Sequence, residues 1–303
     1  MNDHPTTLKE FLALPTAQIA ERVRLAGPQV CVFPINGTRR WFALEYGDQA
    51  WDDPLAAYMD LASRNHVGLY RLFFEHGIDT LVTPVLGADI LTRGEEYMSR
   101  IGAEGYARLA GGQDFLDFYA SMDVRVRFYG DYRTRLAGTP YAHLIDQFDS
   151  VAAETAHHST YRLFLGAFAD SSASFIGRLA VEYFQQHGEI PATRHLVEAY
   201  YGEFIEPASL FIGFDKFTVF DYPLLASGTE DLYFTVAPSP YLSALQLRTI
   251  LYDHLVTRRQ PEPEYGRLSA EARGRLQGFY SAHRKVVQGT GELLDAVWVP
   301  RLG

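Results

Sequence analysis

The sequence predicts an α/β protein, a mostly parallel six-stranded sheet flanked by helices. Three observations lead there. Short apolar or alternating runs recur six times along the 303 residues, each of strand rather than helix length. Helical patterns separate most of these runs with short connections, the order that gives parallel strands covered on both faces. There is no internal repeat and no low-complexity tract, and the only linker-like stretch, Pro261-Glu262-Pro263-Glu264, lies near the end. The chain therefore reads as a single domain over 1–303, with 259–303 as a C-terminal helical extension.

In order, Thr7-Leu8-Lys9-Glu10 has capping-box spacing and opens a short amphipathic helix interrupted at Pro15. A second helical piece runs from Thr16 to about Leu25, and the first strand starts at Val30. Asp53-Pro54, a cap followed by proline in the first turn, starts a long helix ending at His76-Gly77. Ile78 to Val85 is the second strand. Gly94 to about Met122 is helical in two pieces broken near Gly111-Gly112, and Val124 to Tyr129 alternates as a third strand. A helix over about 141–156 precedes a fourth strand, Tyr161 to Phe168, and another helix reaches His187-Gly188. Thr193 to Tyr201 is a short helix stopped by Gly202. Leu210 to Gly213 and Leu232 to Val236 are the last strands, and helices over Ala244–Arg258 and Ser269–His283 close the chain.

A formal net charge of −10 argues against indiscriminate nucleic-acid binding. Cys31 is the only cysteine, which rules out an intramolecular disulfide and a cysteine-based zinc cluster. No apolar run approaches membrane-spanning length, and Met1-Asn2-Asp3-His4-Pro5 has no basic region followed by an apolar one. The expectation is a soluble, cytoplasmic protein without a transmembrane segment.

The stretch richest in chemistry is Val30-Cys31-Val32-Phe33-Pro34-Ile35-Asn36-Gly37-Thr38-Arg39-Arg40-Trp41. A buried strand breaks into Asn-Gly, suited to a positive φ. Two arginines follow, whose guanidinium forks suit bidentate phosphate binding beside turn N–H groups. A surface turn with its arginines paired to nearby carboxylates is the plainer alternative. In open parallel sheets ligands bind outside the C-terminal ends of strands, so this turn, Thr83-Pro84, Gly130-Asp131 and the Gly213 region could line one mouth.

Phe33 to Trp41 resembles the diphosphate-binding turn of the cis-prenyltransferase superfamily, to which the undecaprenyl diphosphate synthases belong. It is closer still to the branch of tuberculosinol synthase and tuberculosinyl adenosine transferase, where the turn reads Phe-Pro-Phe-Asp-Gly-Thr-Arg-Arg-Trp. Further stretches match that branch: Phe128 to Arg133, Tyr200 to Glu203, Phe211 to Phe214, Phe220 to Leu225 and Leu232 to Ser239. The resemblance implies the cis-prenyltransferase fold and a homodimer. It implies chemistry on an allylic prenyl diphosphate, of C20 size and linear or bicyclic, ionised to a carbocation that water, proton loss or an organic nucleophile quenches. Asn36, Gly37, Thr38, Arg39 and Arg40 fall on the diphosphate-binding positions.

Departures matter as much. The superfamily's metal-binding aspartate is Asn36 here, a poorer ligand for Mg²⁺, so metal dependence is expected to be weakened. Asp89 is what survives of an Asp-Asp pair and is the candidate for any remaining metal ligand. Trp51 stands where the branch has a tyrosine proposed to help deprotonate the nucleophile; it cannot act as a base but could face a cation with its ring. Phe214 and Phe220 would join Trp51 as the cation wall, and Asn36, Arg39, Arg40 and Trp51 form the catalytic set. In chain-elongating relatives an arginine gripping isopentenyl diphosphate stands where Gly213 does. The alternatives to a terpene synthase or prenyl transferase are thus a non-catalytic subunit, favoured by Asn36, and a chain-elongating synthase, disfavoured by Gly213. Asp53 reads as a helix cap, Asp114 and Asp117 as a solvated helix face, and His157-His158 as surface residues. Gly289-Thr290-Gly291 lacks the strand and helix of a dinucleotide site.

Overall fold

A computed structural model describes residues 7–86, 102–169 and 172–302. Local signals decide the first elements. Thr7 and Glu10 make both reciprocal bonds of a capping box at the head of α1 (Leu8–Leu12), and α2 (Thr16–Leu25) buries Ile19, Ala20 and Val23. Strand β1 is only Val30–Val32, fully buried. Asp53 caps α4 (Pro54–Glu75) by accepting from the N–H groups of Leu55 and Ala56. Between them lies a helix that the sequence reading left as a turn and loop, α3 (Thr38–Tyr46). The remaining central elements are β2 (Thr80–Leu86), α5 (Glu104–Gly111), α6 (Gln113–Ser121), β3 (Val124–Tyr129), α7 (Tyr132–Leu136), α8 (His143–Glu154) and β4 (Tyr161–Ala167). There follow α9 (Ser172–His187), α10 (Thr193–Tyr201), β5 (Leu210–Phe214), β6 (Asp231–Thr235) and α11 (Ala244–Tyr252).

The six strands form one sheet in the order β3-β4-β2-β1-β5-β6, and every pairing is parallel. Alternate residues feed opposite faces. Cys31, Leu81, Leu163 and Leu210 join the larger core with α1, α2, α4, α5, α6, α8 and α11. Val30, Val32, Val82 and Phe211 join a second core with α9 and α10. The chain leaves β1 toward β2 and later returns to β1's other side as β5. The ligand-binding switch point of an open parallel sheet therefore falls at the C-terminal ends of β1 and β5.

The opposite end of these strands is pinned by a buried polar cluster. His254 shares a hydrogen bond with Asp231 (Nδ1 to Oδ2, 2.6 Å) and lies 3.1 Å from Gln29 Oε1, while Arg259 donates to the same Asp231 oxygen at 2.8 Å. Gln29 precedes β1 and Asp231 opens β6, so the cluster ties the first strand to the sheet edge. Burial keeps the His254 pKa below its ordinary value.

The predicted C-terminal extension is not wholly helical. It holds α12 (Ala270–His283), and then an antiparallel hairpin, β7 (Gly291–Leu294) and β8 (Val297–Pro300). Asp295 and Ala296 make its two-residue turn with positive φ, the backbone twist that short hairpins require. No Asn-Gly announces that turn. Among the described residues no helix is long and apolar enough to cross a membrane.

Candidate active site

The turn after β1 is fixed by a serine 203 residues away. Asn36 N–H donates to Ser239 Oγ at 3.0 Å, Ser239 N–H returns a bond to Asn36 O at 3.0 Å, and the serine hydroxyl donates to Pro34 O. Gly37 then adopts φ +76, and a Cβ there would lie 2.7 Å from a Phe214 ring carbon. Glycine is required on both counts. Its carbonyl accepts from Trp41 N–H at 2.8 Å, closing the first turn of α3.

No side chain caps that helix start. The first N–H groups of a helix have no intrahelical partner, and with the helix dipole they make an anion site. Asn36 N–H is engaged by Ser239, so the donors offered to an anion come from the first turn of α3 rather than from the loop. Arg39 is exposed on that turn. Arg40 is half-buried, its guanidinium 5.1 Å over the Phe214 ring, and it donates to Asp215 Oδ2 at 3.3 Å. Thr38 Oγ1 lies 2.8 Å from Tyr58 OH, which joins the turn to α4.

An apolar cleft of about 650 Å³, counting its open mouth, begins at Ile35 and Thr38. One wall is α4, which contributes Tyr58, Ala62 and His66 at helical spacing, with Met59 and Ser63 beside them. The other wall is Thr83, Pro84 and Val85 of β2, with Leu109 and Phe115 behind. Pro84 offers no N–H to a neighbouring strand, and the pairing of β2 with β4 shifts register between Pro84 and Leu86, at the cleft wall. His66 sits two helical turns from Tyr58, roughly 12 Å along the helix axis. Its Nε2 is buried without a hydrogen-bond partner among the described residues.

Burial lowers the His66 pKa from 6.5 to about 4, so the ring is neutral at ordinary pH. The unfolded chain takes up that proton first as pH falls. Stability is therefore lost from about pH 6.5 down to about pH 4, by roughly 3 kcal/mol in all. His66→Leu is expected to remove most of this loss. The check is the urea-unfolding free energy of both proteins at pH 7 and pH 4.5; equal pH dependence in the two would contradict it.

The structure does not bring every expected residue to the site. Phe214 packs on the turn, as its place at the end of β5 allows. Trp51 is not on the cleft: its indole donates to Tyr46 O at 3.3 Å and its ring faces Phe42 at 6.3 Å, one aromatic layer behind Tyr58. Phe220 packs against Phe211 in the core on the opposite face of the sheet. Asp89 lies outside the described residues. No group of three or more His, Cys, Asp or Glu among the described residues is arranged to hold a metal ion, and Asn36 brings a neutral amide where a hard cation favours carboxylate. The described donors do not compose a Mg²⁺ site. Three residues escaped sequence reasoning: Tyr58, His66 and Asp215. Tyr58 and His66 carry the spacing of the buried face of α4, but nothing local marks Asp215.

The six-stranded parallel sheet flanked by helices is the fold of the cis-prenyltransferases. The structure matches lavandulyl diphosphate synthase from Lavandula x intermedia, solved with dimethylallyl diphosphate, at a TM-score of 0.60 and 14% identity, covering 80% of this chain and 99% of that one. It matches a probable undecaprenyl diphosphate synthase from Campylobacter jejuni at 0.56 and 16% identity, with 80% and 99% covered. Within that fold, sequence places it further. The chain is 41% identical over 292 residues to tuberculosinyl adenosine transferase of Mycobacterium tuberculosis (strain CDC 1551 / Oshkosh), 96% of this chain and 97% of that protein, and it belongs to that family. It is also 27% identical over 302 residues to (+)-kolavelool synthase of Herpetosiphon aurantiacus, covering 97% and 96%. No family model matches the chain.

Proposed function

We propose that this chain binds an allylic prenyl diphosphate, ionises it, and acts as a terpene synthase or prenyl transferase. The observation that carries the reading is that Thr38 belongs at once to the anion-binding start of α3 and to the mouth of the apolar cleft. A ligand with a diphosphate head and a hydrocarbon tail fits both halves. Arg39, Arg40 and the first N–H groups of α3 would take the head, with Asn36, Gly37 and Thr38 shaping the turn. The tail would lie along α4 toward His66.

The ester C–O bond breaks with its electron pair leaving on the diphosphate, and preorganised donors at the developing charge lower that barrier. The allylic cation left at the cleft mouth faces Phe214, and Tyr58 as the nearer aromatic; Trp51 would act through the layer in front of it. A C20 substrate, linear or bicyclic, is part of this reading and rests on the resemblance to the tuberculosinyl branch. The cation would then be captured by water, lose a proton to give an alkene, or pass to an organic nucleophile. A homodimer in the cytoplasm is part of the same reading.

The test is incubation of the purified chain with C10, C15, C20 and bicyclic C20 allylic diphosphates, with diphosphate release and products measured. Release from a C20 substrate is expected. No release from any of them would overturn the reading and favour the non-catalytic subunit that Asn36 suggests.

Mg²⁺, where bound, would neutralise charge on the diphosphate; with Asn36 in the turn, more of that duty falls to the arginines. Activity in chelator should therefore fall less than in a relative carrying aspartate. Asn36→Asp should make activity more Mg²⁺-dependent, because a carboxylate beside the diphosphate repels it without an intervening cation. A Mg²⁺ titration of both proteins over a chelated baseline checks this. Identical titrations, with wild type dead without metal, would refute the account.

A further inference from the structure

At the C-terminal end of β5 stands a carboxylate that the reaction above leaves idle. Asp215 follows Phe214 with φ +70, a left-handed conformation that aspartate tolerates better than most residues. Its N–H donates to Thr235 O at 3.2 Å, fixing it to the end of β6. Its side chain is only 16% exposed. Oδ2 accepts from Arg40 Nη2, whereas Oδ1 is buried with no hydrogen-bond partner among the described residues. An orphaned carboxylate oxygen is costly, and one that persists beside a reaction centre calls for a partner present during function.

The placement narrows that partner's chemistry. Arg40 lies between Asp215 and the start of α3, so the carboxylate borders the leaving-group site on the β5 side. Gly213, two residues earlier, has no room for a gripping side chain: a Cβ there would lie 2.7 Å from a Phe211 ring carbon and 2.8 Å from the Phe234 ring. A fixed negative charge at this point repels a second diphosphate and attracts a neutral molecule with a hydrogen to donate.

We propose that Asp215 Oδ1 is the docking point for the nucleophile, a neutral O–H or N–H donor such as water or an amine-bearing nucleoside. The inference rests on the prenyl diphosphate reading. Once the C–O bond has broken and its electron pair has left on the diphosphate, the nucleophile's lone pair forms the new bond to the allylic carbon. Its O–H or N–H bond breaks, and the proton passes to Oδ1, which later releases it to solvent. Arg40 holds the carboxylate in place until then.

Asp215→Asn tests this, since the amide keeps the shape and can still accept from Arg40 but cannot take a proton. Two quantities are read with the C20 substrate, with and without added adenosine: the rate of diphosphate release, and the ratio of captured product (alcohol or adduct) to alkene. Release is expected to fall less than about 3-fold while the ratio falls at least 10-fold, and Asp215→Glu should recover part of the ratio. If Asp215→Asn melts well below wild type, Asp215→Ser is measured in the same way. An unchanged ratio overturns the inference and leaves the function standing. So does an equal fall in release and capture, which would make Asp215 only a holder of Arg40, and so does a wild type that forms alkene alone. A wild type that releases no diphosphate overturns both.

Discussion

Replacing Arg40 with alanine is expected to lower turnover at least about 10²-fold, and Arg39→Ala to fall in the same range. Removing one preorganised donor from a developing oxyanion typically costs about 2.7–4 kcal/mol of barrier, and each arginine brings a full charge as well. The structure separates the two. Arg40 is held in place before substrate arrives, by Phe214 beneath its guanidinium and Asp215 at its Nη2. Arg39 stands exposed on the same helical turn. Arg40→Lys should therefore recover little, because an ammonium cannot both bond Asp215 in that geometry and present a fork to a phosphate. Single-turnover rates with the accepted diphosphate measure the effect. Near-normal rates in both folded alanine variants would show that the leaving group is held elsewhere.

Installing the elongation-type arginine at Gly213 is expected to destabilise the protein rather than to create an elongating enzyme. The position is buried near the C-terminal end of β5, closed by the rings of Phe211 and Phe234 on the side where the Cβ would stand. Overpacking of this kind costs about 1–3 kcal/mol, and a buried guanidinium without a partner adds several more. Gly213→Arg should thus lose at least about 4 kcal/mol, a melting midpoint lower by roughly 6 °C or more in a chain of this size. Wild type should give no lengthened product from an allylic diphosphate and radiolabelled isopentenyl diphosphate. Differential scanning calorimetry reads the first expectation and chromatography of the labelled products the second. A Gly213→Arg variant that melts with wild type, or labelled longer chains from wild type, would contradict the steric account of this strand.

Much of the fold was legible because its signals are local. The capping box at Thr7, the Asp53-Pro54 start of α4 and the alternation of Val124–Tyr129 each act within a few residues, and the structure has all three as read. Helix α3 was not legible: Gly37 is a poor N-cap, so the usual start signal is missing. The same absence leaves the first N–H groups of α3 uncapped for an anion, so the feature that hid the helix is the one its proposed role uses.

By itself the sequence determined most of the strand and helix segments, that the strands run parallel, and where the arginine turn stands after β1, since periodicity and caps depend on near neighbours. Only the tertiary structure decided which distant residues meet. Arg40 finds Asp215 across 175 residues because the chain returns to the far side of β1 as β5. Phe214 reaches the turn while Phe220 packs in the core on the sheet's other face, though both looked equally suited to wall a cation. His66 is neutral, and Gly213 irreplaceable, because of rings and walls brought from other parts of the chain. Strand order and sheet face are long-range properties, fixed by how the cores pack, and no spacing within one segment encodes them.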